Sequence, residues 1–216
     1  MNWLVRAFST SVGKKQLMAV TGMLFLVFLG THLLGNLSIY GGKEAFNAYA
    51  HGLHQLGKIL VVAEIGLVVC LVIHVFLAVL LFLENRRARP VKYAVDKSGG
   101  NGRTLSSVTM PYTGLLILVF VIVHLAGFSH HIVDQSRRTI FQIASSIFAS
   151  PLGLIFYVFS MIVVALHVRH GLWSAFQSIG LNHPKYMPFI RGLSLAYAIL
   201  VGVGFGLLPI VIRFMS

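Results

Sequence analysis

His32, His74, His124 and His167 each lie deep inside a separate apolar stretch of this chain. An ionisable side chain is costly in hydrocarbon, so an intramembrane histidine points to function by default. Imidazole is also a common ligand for iron, copper and zinc. Four of them on four consecutive stretches suggest two bis-histidine metal or haem sites. A single buried histidine is more simply a hydrogen-bonded helix contact; what favours ligation is that the four fall at matched depths.

Those depths depend on the elements that carry the histidines. The chain has 216 residues, 57% hydrophobic and 10% charged, with a mean hydropathy of +0.86. Soluble domains carry roughly a quarter charged residues. Five apolar runs are long enough to span, at about 16–40, 57–84, 110–131, 151–178 and 189–213, since roughly 20 residues cross the hydrocarbon. The breaks between them carry turn and charge signals: Tyr40-Gly41-Gly42-Lys43-Glu44, Glu84 to Pro90, Asp134 to Arg138, and Asn182-His183-Pro184-Lys185 before Pro188. Arg6, Lys14 and Lys15 ahead of the first run imitate a signal peptide, but the run is too long for an ordinary apolar core and shows no small-residue cleavage site. It reads as the first span. The expectation is an all-α membrane protein, one transmembrane domain over 1–216 with five helices in a bundle.

Lysines and arginines orient it. With the N-terminus cytoplasmic, the inner segments hold Arg6, Lys14, Lys15, Arg86, Arg87, Arg89, Lys92, Lys97, Arg103, Lys185 and Arg191, against Lys43, Lys58, Arg137, Arg138 and Arg213 outside. This bias predicts N-inside and C-outside. It also accounts for the +12 formal charge without nucleic acid, which would require a clustered soluble face. Cys70 is the one cysteine, so neither a disulfide framework nor a four-ligand iron–sulfur cluster is available. Gly202-x-Gly204-x-Gly206 reads as close helix packing, and no strand-turn-helix offers a flavin or nicotinamide site.

On this topology the first and third spans run outward. His32 lies roughly 24 Å and His124 roughly 21 Å up from the cytoplasmic ends, at 1.5 Å per residue. The second and fourth run inward, which puts His74 and His167 each roughly 24 Å down from the outer face. The histidines thus form an outer pair, His32 with His124, and an inner pair, His74 with His167. Each pair is built like a bis-imidazole haem site, one ligand from each of two facing helices. Large apolar neighbours suit a porphyrin: Phe25, Phe28, Leu33, Phe76, Leu77, Phe120, Leu125 and Leu166. Two axial histidines leave iron no open position, so such haems carry electrons, and two stacked levels form a wire across the membrane. Structural zinc wants four ligands at one point, which two levels do not supply. Histidine proton relays usually come with intramembrane carboxylates, and Glu64 alone qualifies.

These residues sit in recognisable surroundings. Thr21-Gly22 stands ten residues before His32; Ile73-His74-Val75-Phe76-Leu77-Ala78 surrounds the second histidine; Thr113-Gly114 and Val123-His124-Leu125 mark the third. The most specific segment is Leu166-His167-Val168-Arg169-His170-Gly171-Leu172-Trp173-Ser174, continuing to Gln177-Ser178-Ile179-Gly180. Over almost its whole length the chain resembles the cytochrome b membrane-anchor subunits of succinate dehydrogenases and fumarate reductases, of the five-helix, two-haem, single-subunit kind. The resemblance implies two haem b groups ligated by His32, His74, His124 and His167, with His74 and His167 on the cytoplasmic-side haem. It implies a flavoprotein subunit and an iron–sulfur subunit docked on the cytoplasmic face, and a menaquinone-like quinone as redox partner in the lipid. It implies a multi-pass position in a bacterial cytoplasmic membrane and leaves room for a dimer of the whole complex. In one respect the chain departs: some members carry a glutamate, associated with transmembrane proton movement, where this chain has Ala165. A proton route through that position is in doubt, and the direction of catalysis belongs to another subunit.

Other positions carry alternatives. His170 follows His167 by three residues and faces a similar direction, so either could ligate; the resemblance favours His167. Lys15, Arg103 and Arg169 could pair with haem carboxylates, or simply snorkel to the headgroups. His130, His131 and His183 read as interfacial loop residues, and Trp173 and Tyr186 fit an aromatic belt. The basic run Arg86 to Arg103 suits docking of a cytoplasmic partner. Glu64 lies roughly 15 Å outward of His74, near the level of the outer pair, with Asn47, Tyr49, His51 and His54 in the neighbouring loop. It could exchange the protons of quinone chemistry or merely bond across helices.

Two readings of different class remain. One is a haem-b anchor, of this family or of another respiratory enzyme such as a hydrogenase. The other is a non-haem transporter using histidines for protons or metal. Dithionite-reducible cytochrome b bands in membranes separate them, and co-purified subunits separate the anchors.

Overall fold

The computed structural model describes residues 9–88 and 105–216, and every regular element among them is helical. Helix α1 covers Ser11–Asn36 and continues through a 3-10 turn, Leu37–Gly41; α2 covers Lys43–His54, α3 Lys58–Arg87, α4 Leu105–Phe128, α5 Ile140–Ala149, α6 Pro151–Ser178 and α7 Met187–Met215. Helices α1, α3, α4, α6 and α7 are long and apolar enough to cross a membrane. They correspond to the five expected runs.

Local chemistry explains where the ends differ from expectation. Helix α1 starts at Ser11, ahead of the apolar run, because Thr10 caps it: Thr10 Oγ1 accepts from the Gly13 amide at 3.0 Å. Helix α3 runs on through Glu84 to Arg87, and Glu84 is paired with Lys14 Nζ at the start of α1. Helix α4 reaches back past Pro111 to Leu105 and ends at Phe128, whose carbonyl accepts from Gln135 Nε2 at 2.8 Å. Arg103 and the rest of the basic run from Arg89 lie outside the described residues.

Two short helices occupy what reads from sequence as loop. Helix α2 buries Phe46. Helix α5 opens on a capping box: Thr139 Oγ1 accepts from the Gln142 amide at 3.3 Å, and Gln142 Oε1 accepts from the Thr139 amide at 2.9 Å. The two are tied together by Phe141 N donating to Asn47 Oδ1 at 3.0 Å. Both lie at the end of the bundle that holds the C-terminus of α1 and the N-terminus of α3. Arg213 near the end of α7 donates to the carbonyls of Phe148 and Ala149 in α5, so α7 finishes at that same end.

Helix α6 is the central element. It packs most extensively on α7 and also against α1 and α4, while α3 packs on α1. By comparison, α3 and α4 meet sparsely. Close approach of α7 uses glycine: a Cβ on Gly202 would stand 2.8 Å from Ala165 Cβ, and one on Gly204 2.8 Å from Leu33 Cδ2. Ala165 therefore fills a tight α6–α7 contact. The outward faces are apolar, with Val27, Leu34, Val62 and Leu152 all exposed, as a lipid solvent requires.

Among the described residues the buried polar side chains are Thr21, Thr113, Ser160 and Ser194. Ser160 and Ser194 donate back to the carbonyls of Phe156 and Ile190 within their own helices. Thr21 and Thr113 do something more.

Candidate functional site

Thr21 Oγ1 lies 3.1 Å from the Leu17 carbonyl, 3.0 Å from that of Met18 and 3.0 Å from His74 Nδ1. A hydroxyl has one proton to give. With that proton directed at its own helix, Thr21 Oγ1 accepts from His74, which places a proton on Nδ1. The Nε2 lone pair of the neutral ring is left free to bind a metal, the arrangement in which a ligating histidine is oriented through its other nitrogen. Thr113 repeats the arrangement. Its Oγ1 is 3.1 Å from the carbonyls of Thr109 and Met110 and 3.1 Å from His167 Nδ1.

The glycines that follow make room for the rings. A Cβ on Gly22 would stand 3.3 Å from His74 Cε1, and one on Gly114 3.5 Å from His167 Cε1. Each Thr-Gly pair is thus a seat: the hydroxyl holds Nδ1 and the missing side chain admits the imidazole.

The other two histidines face each other directly. The His32 and His124 ring centroids are 6.0 Å apart with planes 83° apart. Metal–imidazole bonds of about 2.0–2.1 Å would hold two rings on opposite sides of one ion at roughly that centroid spacing. Phe28 stacks on His32 at 5.2 Å and Phe120 on His124 at 5.5 Å, each from one helical turn earlier. Phe205 of α7 and Tyr157 of α6 complete the aromatic surround. His124 buries Nδ1 without a hydrogen-bond partner among the described residues, and such an atom in a native interior calls for an explanation. The paired His32 and His124 rings in an apolar, aromatic surround, and the His74 and His167 rings held through Nδ1 so that Nε2 is left to ligate, fit imidazole ligation of haem iron.

Not every expected neighbour joins this surround. Phe25 meets His74 edge-on at 5.9 Å, and Leu33 and Leu77 are buried. Phe76, Leu125 and Leu166, however, are 63%, 42% and 43% exposed and face outward, because they share a helix with the histidine but not its side. His170 packs edge-on against Trp173 at 4.8 Å, beneath Arg191, and buries an Nδ1 without a hydrogen-bond partner among the described residues. Lys15 and Arg169 are exposed. Trp173, expected in an aromatic belt, also packs on His170 and lies beneath the Arg191 guanidinium.

At the α5 end of the bundle, Glu64 is held by two side chains that read from sequence as loop residues: His131 Nε2 at 3.0 Å and His130 Nδ1 at 3.5 Å. The His54 ring lies 4.9 Å from that of His130. Burial and, next, the neighbouring His130 hold His54 below the usual histidine range. Beside Glu64 is an open cleft of about 230 Å³, lined by Val61, Ile65, Val68, Val69 and His131. Tyr49 turns away from it and packs over Gly35, where a Cβ would stand 2.3 Å from its hydroxyl; His51 contacts Gln55 at 3.4 Å.

The threonine seats had a sequence signal. Thr21-Gly22 to His32 and Thr113-Gly114 to His124 align over twelve positions, sharing Thr, Gly, Leu, Leu, Val, Phe and His. The second histidine of each set follows its threonine by 53 and 54 residues. The chain thus carries an internal repeat, and the stacked phenylalanine and the seat are its recurring parts.

Replacing Thr113 by valine keeps shape and removes the hydroxyl. Loss of such an orienting partner typically lowers metal affinity by about 10–100-fold. We expect weakened haem retention at the His167 site, read as haem lost during dilution in detergent, with Thr21→Val acting at His74. Unchanged retention in both variants would rule out the seating role.

The chain is 27% identical over 150 residues to the succinate dehydrogenase cytochrome b558 subunit of Bacillus subtilis (strain 168), covering 68% of this chain and 69% of that protein. No family model and no solved structure matches it. That relative agrees with the resemblance carried by the His-x-x-His-Gly-x-Trp segment and by the five apolar helices.

Proposed function

We propose that this chain is the di-haem cytochrome b anchor of a succinate:quinone or quinol:fumarate oxidoreductase. It is a multi-pass membrane subunit that links a lipid-borne, menaquinone-like quinone to cytoplasmic flavoprotein and iron–sulfur subunits. The relative named as a succinate dehydrogenase cytochrome b subunit supports the membrane cytochrome b anchor. What supports the finer reading is the direct His32–His124 ring contact together with the matching Thr-Gly seats that hold His74 and His167.

Haem b, when bound, supplies a one-electron iron couple. The chain's own residues do the rest. His32 and His124 present rings across α1 and α4; Thr21 and Thr113 keep a proton on Nδ1 of His74 and His167, so that Nε2 is the atom offered. Phe28, Phe120 and Phe205 exclude water. His167 is the ligand on α6 because Thr113 orients it, whereas His170 is engaged with Trp173. Lys15, Arg103 and Arg169 serve the interface, with the basic run Arg86 to Arg103 meeting the partner subunits. Glu64 handles quinone protons at the outer level, beside the apolar cleft, and Tyr49 and His51 lie in the same outer region. Ala165 carries no titratable group, which leaves a proton route through that position in doubt.

The test is stoichiometry. A pyridine haemochrome assay on the purified chain is expected to give two haems b per chain. One haem or none overturns the di-haem reading, and colourless protein returns the transporter reading.

A further inference from the structure

Glu64, His130 and His131 each offer a ligand atom, and the three atoms lie within 4.8 Å of one another. We propose that this cluster is a divalent transition-metal site of the zinc class at the outer end of the bundle, with Glu64, His130 and His131 as its three protein donors. It is separate from the four intramembrane histidines and needs no haem.

Tetrahedral zinc with bonds of about 2.0–2.1 Å spaces its donors at roughly 3.3 Å. His131 Nε2 lies 3.0 Å from Glu64 Oε2 and His130 Nδ1 3.5 Å from Glu64 Oε1, so each imidazole stands near that spacing from one of the two carboxylate oxygens. The donor set suits the ion, since imidazole and carboxylate together favour zinc and its neighbours over calcium or magnesium. Protein geometry holds the donors in place without an ion. Glu64 projects from α3, nearly two turns inside its start at Lys58. The two histidines sit on a turn closed by Ile132 N and Val133 N donating to the Ser129 carbonyl at 3.0 and 2.8 Å, with His131 N donating to Ser129 Oγ at 3.3 Å. His54 approaches from α2, its ring 4.9 Å from that of His130.

The cluster also forms one wall of the Glu64 cleft. A bound ion would take Glu64 out of proton exchange and so block quinone turnover. That consequence rests on the quinone role proposed for Glu64; the binding itself does not.

The test uses the full-length chain in detergent, stripped with chelator, and Zn2+ as the probe. Equilibrium dialysis is expected to show one Zn2+ bound per chain. Glu64→Gln and the double variant His130→Ala/His131→Ala should each weaken binding by at least about ten-fold, the order seen when even outer-shell support of a metal is lost. His183→Ala should bind as wild type does, and far-UV circular dichroism checks that the helices persist. No uptake by the wild type, or equal uptake in wild type, Glu64→Gln and the double variant, overturns the site. Zn2+ binding that leaves quinone-linked turnover unimpaired upholds the site and counts instead against the Glu64 quinone role.

Discussion

Alanine at His74 and alanine at His167, made separately, are expected to cost the chain the same haem, leaving one of two. Alanine at His32 or at His124 should remove the other. The expectation follows from ligation by two imidazoles: a porphyrin iron held from both sides loses half its protein bonds when either ring is cut away, and the seat around it is apolar. The proposed pairing is specific. His32 and His124 are 6.0 Å apart across α1 and α4, whereas His74 and His167 hang from equivalent Thr-Gly seats on those same two helices. Reduced spectra and a redox titration of each variant identify which haem remains. The same haem missing from His32→Ala and His74→Ala would disprove the pairing. His170→Ala should keep both haems, since its ring is packed on Trp173; loss of one there would transfer the ligand role from His167 to His170.

The spans were readable from sequence because hydropathy over twenty or so residues is a long-range sum that no single residue can spoil. Their ends were not, because ends are decided by single contacts. Thr10 lengthens α1, and the Lys14–Glu84 pair accompanies α3 through polar residues that read as a break. Helices α2 and α5 were missed for opposite reasons. Helix α2 is polar enough to pass for a loop, and α5, at ten residues, is too short to register as a span although Thr139 and Gln142 spell a capping box. The histidines stood out by their cost in lipid, but the hydroxyls that orient them are cheap there, since a threonine can bond its own helix. The Thr-Gly pairs stood out as part of the family resemblance and of the internal repeat, but neither told that the hydroxyls seat His74 and His167. The bond between Glu64 and the His130–His131 turn joins residues 67 positions apart, and nothing local in either segment announces it.

Glu64→Gln is expected to retain both haems yet slow quinone-linked turnover by about ten-fold or more, within or below the usual 10²–10⁴ contribution of a general acid or base. Quinone reduction takes up protons with its electrons and quinol oxidation releases them, so the site needs a titratable group beside the ring. Among the described residues Glu64 borders an apolar cleft, formed by Val61, Ile65, Val68 and Val69, that suits a quinone ring. Glutamine preserves the volume and can still bond His130 and His131, so helix packing should survive while proton exchange is lost. Electron delivery from the partner subunits to the haems should proceed at the wild-type rate, which separates a proton defect from an assembly defect. Dithionite-reduced spectra establish haem content, and succinate- or fumarate-linked turnover with a menaquinone analogue reads the rate. Wild-type turnover in Glu64→Gln would make the Glu64–His131 bond a structural tie between α3 and the turn after α4. His54, which reaches the same cluster through His130, would then be the next residue to exchange, ahead of Tyr49, which packs over Gly35 instead.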